Sequence, residues 1–62
     1  MPQLSQMDLN IIKELAAMED VNARKFQLYS QNCQDTQLQG ILNQEAQQSF
    51  NNAQTLMGFL RS

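Results

Sequence analysis

The stretch Gln31-Asn32-Cys33-Gln34-Asp35 decides the fold, because it is the one place where the apolar rhythm of the chain stops. Upstream, Ile11, Ile12, Leu15, Met18, Ala23, Phe26, Tyr29 and Cys33 follow one another mostly in steps of three and four. Downstream, Leu38, Ile41, Leu42, Ala46, Ala53, Leu56, Met57 and Leu60 mark one side of a second segment. Both sets fit one face of a 3.6-residue period and not the alternation of a strand. The five residues between them are therefore a turn between two helices. Asn32 is suited to the left-handed conformation that ends many helices, and Asp35 is a good N-cap for the next one.

Working outward, the first helix has a clear start. Ser5 and Asp8 have capping-box spacing, and Leu4 and Leu9 occupy the positions of a hydrophobic staple. The spacing predicts helices over about residues 6–32 and 36–60. Breakers are few: Pro2, Gly40 and Gly58. Gly40 costs its helix up to about 1 kcal/mol against Ala, and close approach to the other helix is the expected compensation. So short a connection favours an antiparallel two-helix hairpin, an all-α domain over residues 1–62.

Both apolar stripes are wide, since Ile11 and Ile12, Ile41 and Leu42, and Leu56 and Met57 are adjacent pairs. One neighbouring helix covers only part of such a stripe. A core of this size rarely contributes more than roughly 3–5 kcal/mol, and the 62-residue, 7.1 kDa chain has one Cys and no disulfide to add. The expected remedy is a homodimer, two hairpins about a two-fold axis forming a four-helix bundle. Its expected core and dimer interface comprise Ile11, Ile12, Leu15, Met18, Phe26 and Tyr29 of the first helix. The second contributes Leu38, Ile41, Leu42, Leu56 and Leu60. Met7, Met18 and Met57 are read as core fillers, Tyr29 as core with its hydroxyl at the rim, and Cys33 as a small buried hydrophobe.

Composition narrows the function. Four Lys or Arg against six Asp or Glu give a net charge of −2, so there is no basic surplus for nucleic acid or an anionic membrane surface. Apolar runs of a few residues neither span a bilayer nor resemble a signal peptide, and an intracellular protein is expected. With no His, the serines have no base to activate them and ordinary zinc ligand sets are missing. Two distant glycines make no phosphate loop. Catalytic and cofactor-binding residues are therefore expected to be absent. The carboxylates best placed for chemistry are Glu19, at helical spacing from Ile12, Ala16, Ala23 and Phe26, and Glu45, four residues after Ile41. A carboxylate there must be paired, protonated or hydrated. Three readings stand: both reach solvent from the edge of the stripe, they make a polar contact across the dimer, or they contribute to a metal site.

The segment Met18–Leu60 also resembles a known family. The residues are Glu19, Lys25-Phe26, Tyr29-Ser30, Gln34-Asp35-Thr36-Gln37-Leu38-Gln39 and Gln54-Thr55-Leu56, spanning about two-thirds of the chain. The pattern is similar to the small spore-coat proteins of the coat F type from endospore-forming Firmicutes. That family reads loosely as an acidic residue, Lys-aromatic, Tyr-Ala, Asp-Pro-Gln-Leu-Lys after the turn, and a later His before Thr-Leu-Leu. The resemblance implies a ferritin-like scaffold, with Glu19 matching the first-helix carboxylate of the metal-binding relatives. Ser49 and Asn52 fall where those relatives carry Glu and His, and Thr36 replaces Pro. The implied scaffold has lost its metal site.

Function is then expected to be structural: a dimeric bundle whose amide-rich exterior joins other coat proteins, in the mother-cell cytoplasm or the spore coat. The exterior follows from eleven Gln and six Asn, more than a quarter of the chain. Amides make dense contacts without the desolvation cost of ion pairs. Gln27, Gln31, Gln37, Gln44, Gln47 and Gln48 are placed on solvent faces, Asn22 and Asn52 near the inward face. The alternatives are a degenerate metal-binding protein using Glu19 and Glu45, or an adaptor capturing a partner helix on Leu28 and Phe50.

Overall fold

A computed structural model describes residues 4–61 as two helices, α1 (Gln6–Asn32) and α2 (Thr36–Arg61), folded into a hairpin. Pro2 lies outside the described residues. The Cα trace measures 47 × 17 × 12 Å, a slab two helices wide and one thick.

Local chemistry sets the helix ends. Ser5 is extended (φ −75°, ψ 166°), and its hydroxyl accepts from the Asp8 amide at 3.0 Å. Asp8 Oδ2 accepts in return from the Ser5 amide at 3.1 Å, which completes a capping box. Removing one side of it with Ser5→Ala is expected to destabilise the chain by about 1 kcal/mol, read as a lower urea midpoint at unchanged slope. At the other end, Asp35 Oδ1 accepts from the Leu38 amide at 2.8 Å and starts α2.

Helix α1 does not end on a left-handed Asn32: no non-glycine residue among those described has a positive φ. The chain leaves the helix in extended form at Cys33 (φ −91°, ψ 132°), whose amide still donates to Ser30 O at 3.3 Å. Side chains replace the work of a left-handed cap. Asn32 Nδ2 donates to Leu28 O at 2.8 Å, satisfying a last-turn carbonyl. Gln39 Nε2 donates to Cys33 O, and the Ser30 hydroxyl donates to Gln39 O at 3.4 Å. The three-residue connection is thus tied to the first turn of α2.

The seam between the helices has a strict rhythm. On α1 the seam runs through Leu9, Ile12, Ala16, Glu19, Ala23, Phe26 and Ser30, and on α2 through Gln39, Leu42, Ala46, Ser49, Ala53, Leu56 and Leu60, with Asp20, Asn22, Phe50 and Gly58 half-buried beside it. Steps of three and four alternate throughout, the 3.5-residue repeat of a left-handed supercoil. Only small residues are fully covered: Ala16, Ala23 and Ser30 against Ala46, Ser49 and Ala53, with Ala23 at 0% exposure. Packed helices lie roughly 8–10 Å apart according to the side chains at the contact, and Ala or Ser lets them come near the short end.

Several expected core residues are not in this seam. Ile12, Phe26, Leu42, Leu56 and Leu60 are half-buried along it. Ile11, Leu15, Met18, Tyr29, Leu38 and Ile41 are exposed, Met18 at 54% and Tyr29 at 52%. Tyr29 is therefore not core in the hairpin, and Met7, Met18 and Met57 fill no gap in it. Cys33 is half-buried, its thiol 3.6 Å from Asp35 O. The physical reason is size: helices that touch through Ala and Ser have no room between them for a second row of large side chains.

The amides have a structural use. Gln6, Gln47 and Gln48 donate to Asn10, Asn51 and Asn52 four residues on, at 3.0, 3.1 and 3.0 Å. Pairs at that spacing stabilise a helix by about 0.2–0.5 kcal/mol each. The ion pair Arg24–Asp20, at 3.1 Å, is exposed and contributes little. Gly40 is not compensated by close approach, since a Cβ built on it meets nothing within 4 Å. Gly40→Ala is accordingly expected to stabilise the hairpin by about 0.5–1 kcal/mol, visible as a higher melting temperature by circular dichroism.

Candidate functional site

Most of the exposed large apolar residues border one side of the slab, while Val21, Leu28 and Met57 lie elsewhere. Leu15 and Glu19 of α1 line a shallow groove of about 350 Å³ together with Asn52, Thr55 and Leu56 of α2. That groove fixes which flank of one helix shares a side with which flank of the other. Tyr29 lies fourteen residues, four turns, from Leu15, while Ile11 and Met18 stand four before and three after it. Leu38 and Ile41 lie fourteen before Asn52 and Thr55. These six large apolar side chains, and Phe59 seven residues after Asn52, therefore border one face. The opposite flank carries Lys13, Asp20, Gln27 and Asn43, with Phe50 half-buried and Met57 exposed.

The groove sits at mid-length. Glu19 is the central residue of α1, and Asn52 lies within about 5 Å of the centre of α2 along its axis. Three polar side chains meet there. Thr55 spends its hydroxyl proton on Asn51 O at 3.0 Å, and Asn52 Oδ1 accepts from Gln48. Glu19 is half-buried, and its Oε2 is buried with no hydrogen-bond partner among the described residues. A covered carboxylate oxygen without a donor is costly, and among the described side chains this is the one buried polar atom left without a partner. The apolar spacing singles it out, but its unsatisfied oxygen emerges only once α2 closes over it.

Other anticipated residues are dispersed. Glu45 is exposed, does not line the groove, and lies seven residues, about 10 Å of helix rise, from Asn52. The hairpin thus does not bring Glu19 and Glu45 together. No group of three or more Asp, Glu, Cys or His among the described residues could hold a metal ion. Ser49 is buried in the seam, Asn22 is half-buried, and Asn52 is exposed at the edge of the groove. Leu28 is 55% exposed, but Phe50 is half-buried, so the two do not form one open patch. The solvent-facing amides Gln27, Gln31, Gln37, Gln44, Gln47 and Gln48 are all exposed. No described helix is long and apolar enough to cross a membrane. The seven-residue spacing of Ala16, Ala23 and Ser30, and of Ala46 and Ala53, is the sequence signal that marks the true seam.

No protein-family model, curated protein or solved structure matches the chain.

Proposed function

We propose that this chain is a non-catalytic structural protein that works as a homo-oligomeric helical bundle, in the manner of a spore-coat component. The observation that carries the reading is the division of its apolar residues. The seam buries only Ala and Ser, while Ile11, Leu15, Met18, Tyr29, Leu38 and Ile41, six of the eleven exposed large apolar residues, border one face. Large apolar side chains concentrated on one face mark an interaction surface.

The chain exposes 4910 Å², whereas a compact monomer of this mass exposes about 4,100 Å². The excess follows from the 47 × 17 × 12 Å shape, whose broad face has room for the roughly 800 Å² that each partner contributes to a standard interface. A second copy supplies a matching surface without any further component, and a two-fold axis closes the assembly. The exposed amides and the net charge of −2 suit further packing of such bundles, because little electrostatic repulsion opposes it. The coat assignment rests on the residue pattern around Lys25-Phe26, Tyr29-Ser30 and the Asp35–Leu38 turn.

Sedimentation equilibrium of the purified chain, with Cys33 reduced and then oxidised, tests the reading. A dimer in both states is expected, since the thiol is half-buried at the turn. A stable monomer at millimolar concentration overturns the bundle. Absence of the protein from purified spore coats overturns the coat role alone.

A further inference from the structure

We propose that two copies of this chain pack with their turns at the same end, α1 of each on α2 of the other, and that Lys25 and Glu45 select this orientation by pairing between the copies. The proposal rests on the bundle reading above and adds which way round the copies lie.

Both charged residues stand on the stripes of the apolar face. Lys25 lies seven residues after Met18 and four before Tyr29, and Glu45 lies four after Ile41 and seven before Asn52. They also stand at one height along the hairpin. The Ser30 hydroxyl meets Gln39 O, and in antiparallel helices each step back along α1 matches a step forward along α2. Lys25 is five residues before Ser30 and Glu45 six after Gln39, so their heights differ by about 1.5 Å. Both are exposed, and neither side chain makes a hydrogen bond or ion pair with another described residue. The third charge on these stripes, Asp8, is held in the capping box with Ser5.

Two face-to-face arrangements have a two-fold axis. With the axis along the hairpin, the turns share an end and α1 lies over α2 of the other copy. Equal heights then meet: Lys25 of each copy faces Glu45 of the other, Tyr29 faces Leu38 and Ile41, and Ile11 faces Phe59. With the axis across the hairpin, the turns lie at opposite ends and each helix lies over its own counterpart, inverted about mid-length. Lys25, six residues to the turn side of Glu19, then meets Ile11 and Leu15 of the other copy, while Glu45 meets Asn52 and Thr55. A lysine pressed onto Ile and Leu loses hydration without gaining an anion. An ion pair at a partly wet interface adds little by itself. The mismatch in the second arrangement is what decides, as charges across an interface commonly fix orientation by penalising the wrong one.

Cys33 is the one cysteine of the chain and lies at the turn, so a nitroxide attached to it reports the orientation by double electron–electron resonance on the full chain. Turns at the same end put the two labels roughly 10–25 Å apart, the spacing of packed helices plus the label arms. Turns at opposite ends of a body 47 Å long put them on the order of 40 Å apart. The short distance is expected, and the long one overturns the proposal while leaving the bundle intact. Sedimentation equilibrium tests the charges. Lys25→Glu sets like charges against each other and is expected to weaken the dimer at least about tenfold. The exchange Lys25→Glu/Glu45→Lys restores opposite charges at both contacts and is expected to return to within about threefold of the parent. Both positions are exposed and both residue types are good helix formers, so the helical signal of each variant should persist at dilution. A Lys25→Glu dimer as tight as the parent, or an exchange no tighter than Lys25→Glu alone, overturns the pairing. A monomeric parent overturns the bundle reading itself.

Discussion

Ala23→Leu is expected to lower the melting temperature by about 10–20 °C, although it adds apolar surface to an apolar seam. Ala23 is 0% exposed, and the helices meet through Ala16, Ala23 and Ser30 on one side and Ala46, Ser49 and Ala53 on the other. There is no void for a side chain the size of Leu. A larger side chain must push the helices apart or distort its own rotamer, at about 1–3 kcal/mol. Against a core that contributes only roughly 3–5 kcal/mol this is a large fraction of the total. Ala17→Leu is the control, since Ala17 is exposed on the same helix and has nearly the same propensity change. Thermal melts of the two variants, followed by circular dichroism, separate seam geometry from hydrophobicity. Equal melting temperatures would show that close helix approach does not hold this hairpin together.

The second large effect concerns assembly. Leu15→Lys combined with Ile41→Lys is expected to yield a monomer, weakening association by at least about a hundredfold. The estimate takes about half of the roughly 1.5–3 kcal/mol for full burial of a large aliphatic side chain, since each is already half-covered, lost at two positions in each copy. Both residues are exposed in the hairpin, at 43% and 49%, and Lys is a good helix former. The helical signal at high dilution should therefore resemble that of the parent, while the sedimentation profile changes. Placing the two lysines instead at Gln27 and Asn43, on the opposite flank, is expected to leave the dimer in place. A Leu15→Lys/Ile41→Lys chain that still sediments as a dimer would remove the apolar face from the interface.

These two expectations divide one set of apolar residues between different tasks, and the division is only partly legible in the sequence. Capping residues announce themselves locally: Ser5 with Asp8, and Asp35 with Leu38, lie three residues apart and form their bonds without help from the rest of the fold. Asn32 does not act as a left-handed cap because Gln39, from the next helix, meets the carbonyl of Cys33 and makes an extended exit favourable. Gly40 reads as a point of close approach, yet the approach occurs at Ala and Ser, away from either glycine. Spacing singles out Glu19, and its partnerless oxygen becomes visible only with α2 in place.

What the sequence by itself determined is the pair of helices, their ends and the hairpin, because caps, periodicity and turn chemistry act within a few residues of one another. What only the tertiary structure decided is which stripe of α1 meets α2. Ile11, Leu15, Met18 and Tyr29 satisfy the three-and-four spacing as well as Ile12, Ala16, Ala23 and Phe26 do, so periodicity alone cannot choose. The choice depends on the size of the side chains on the facing helix. Ala46, Ser49 and Ala53 admit a small-residue row at close range, and the larger residues are left on the outer face of the hairpin.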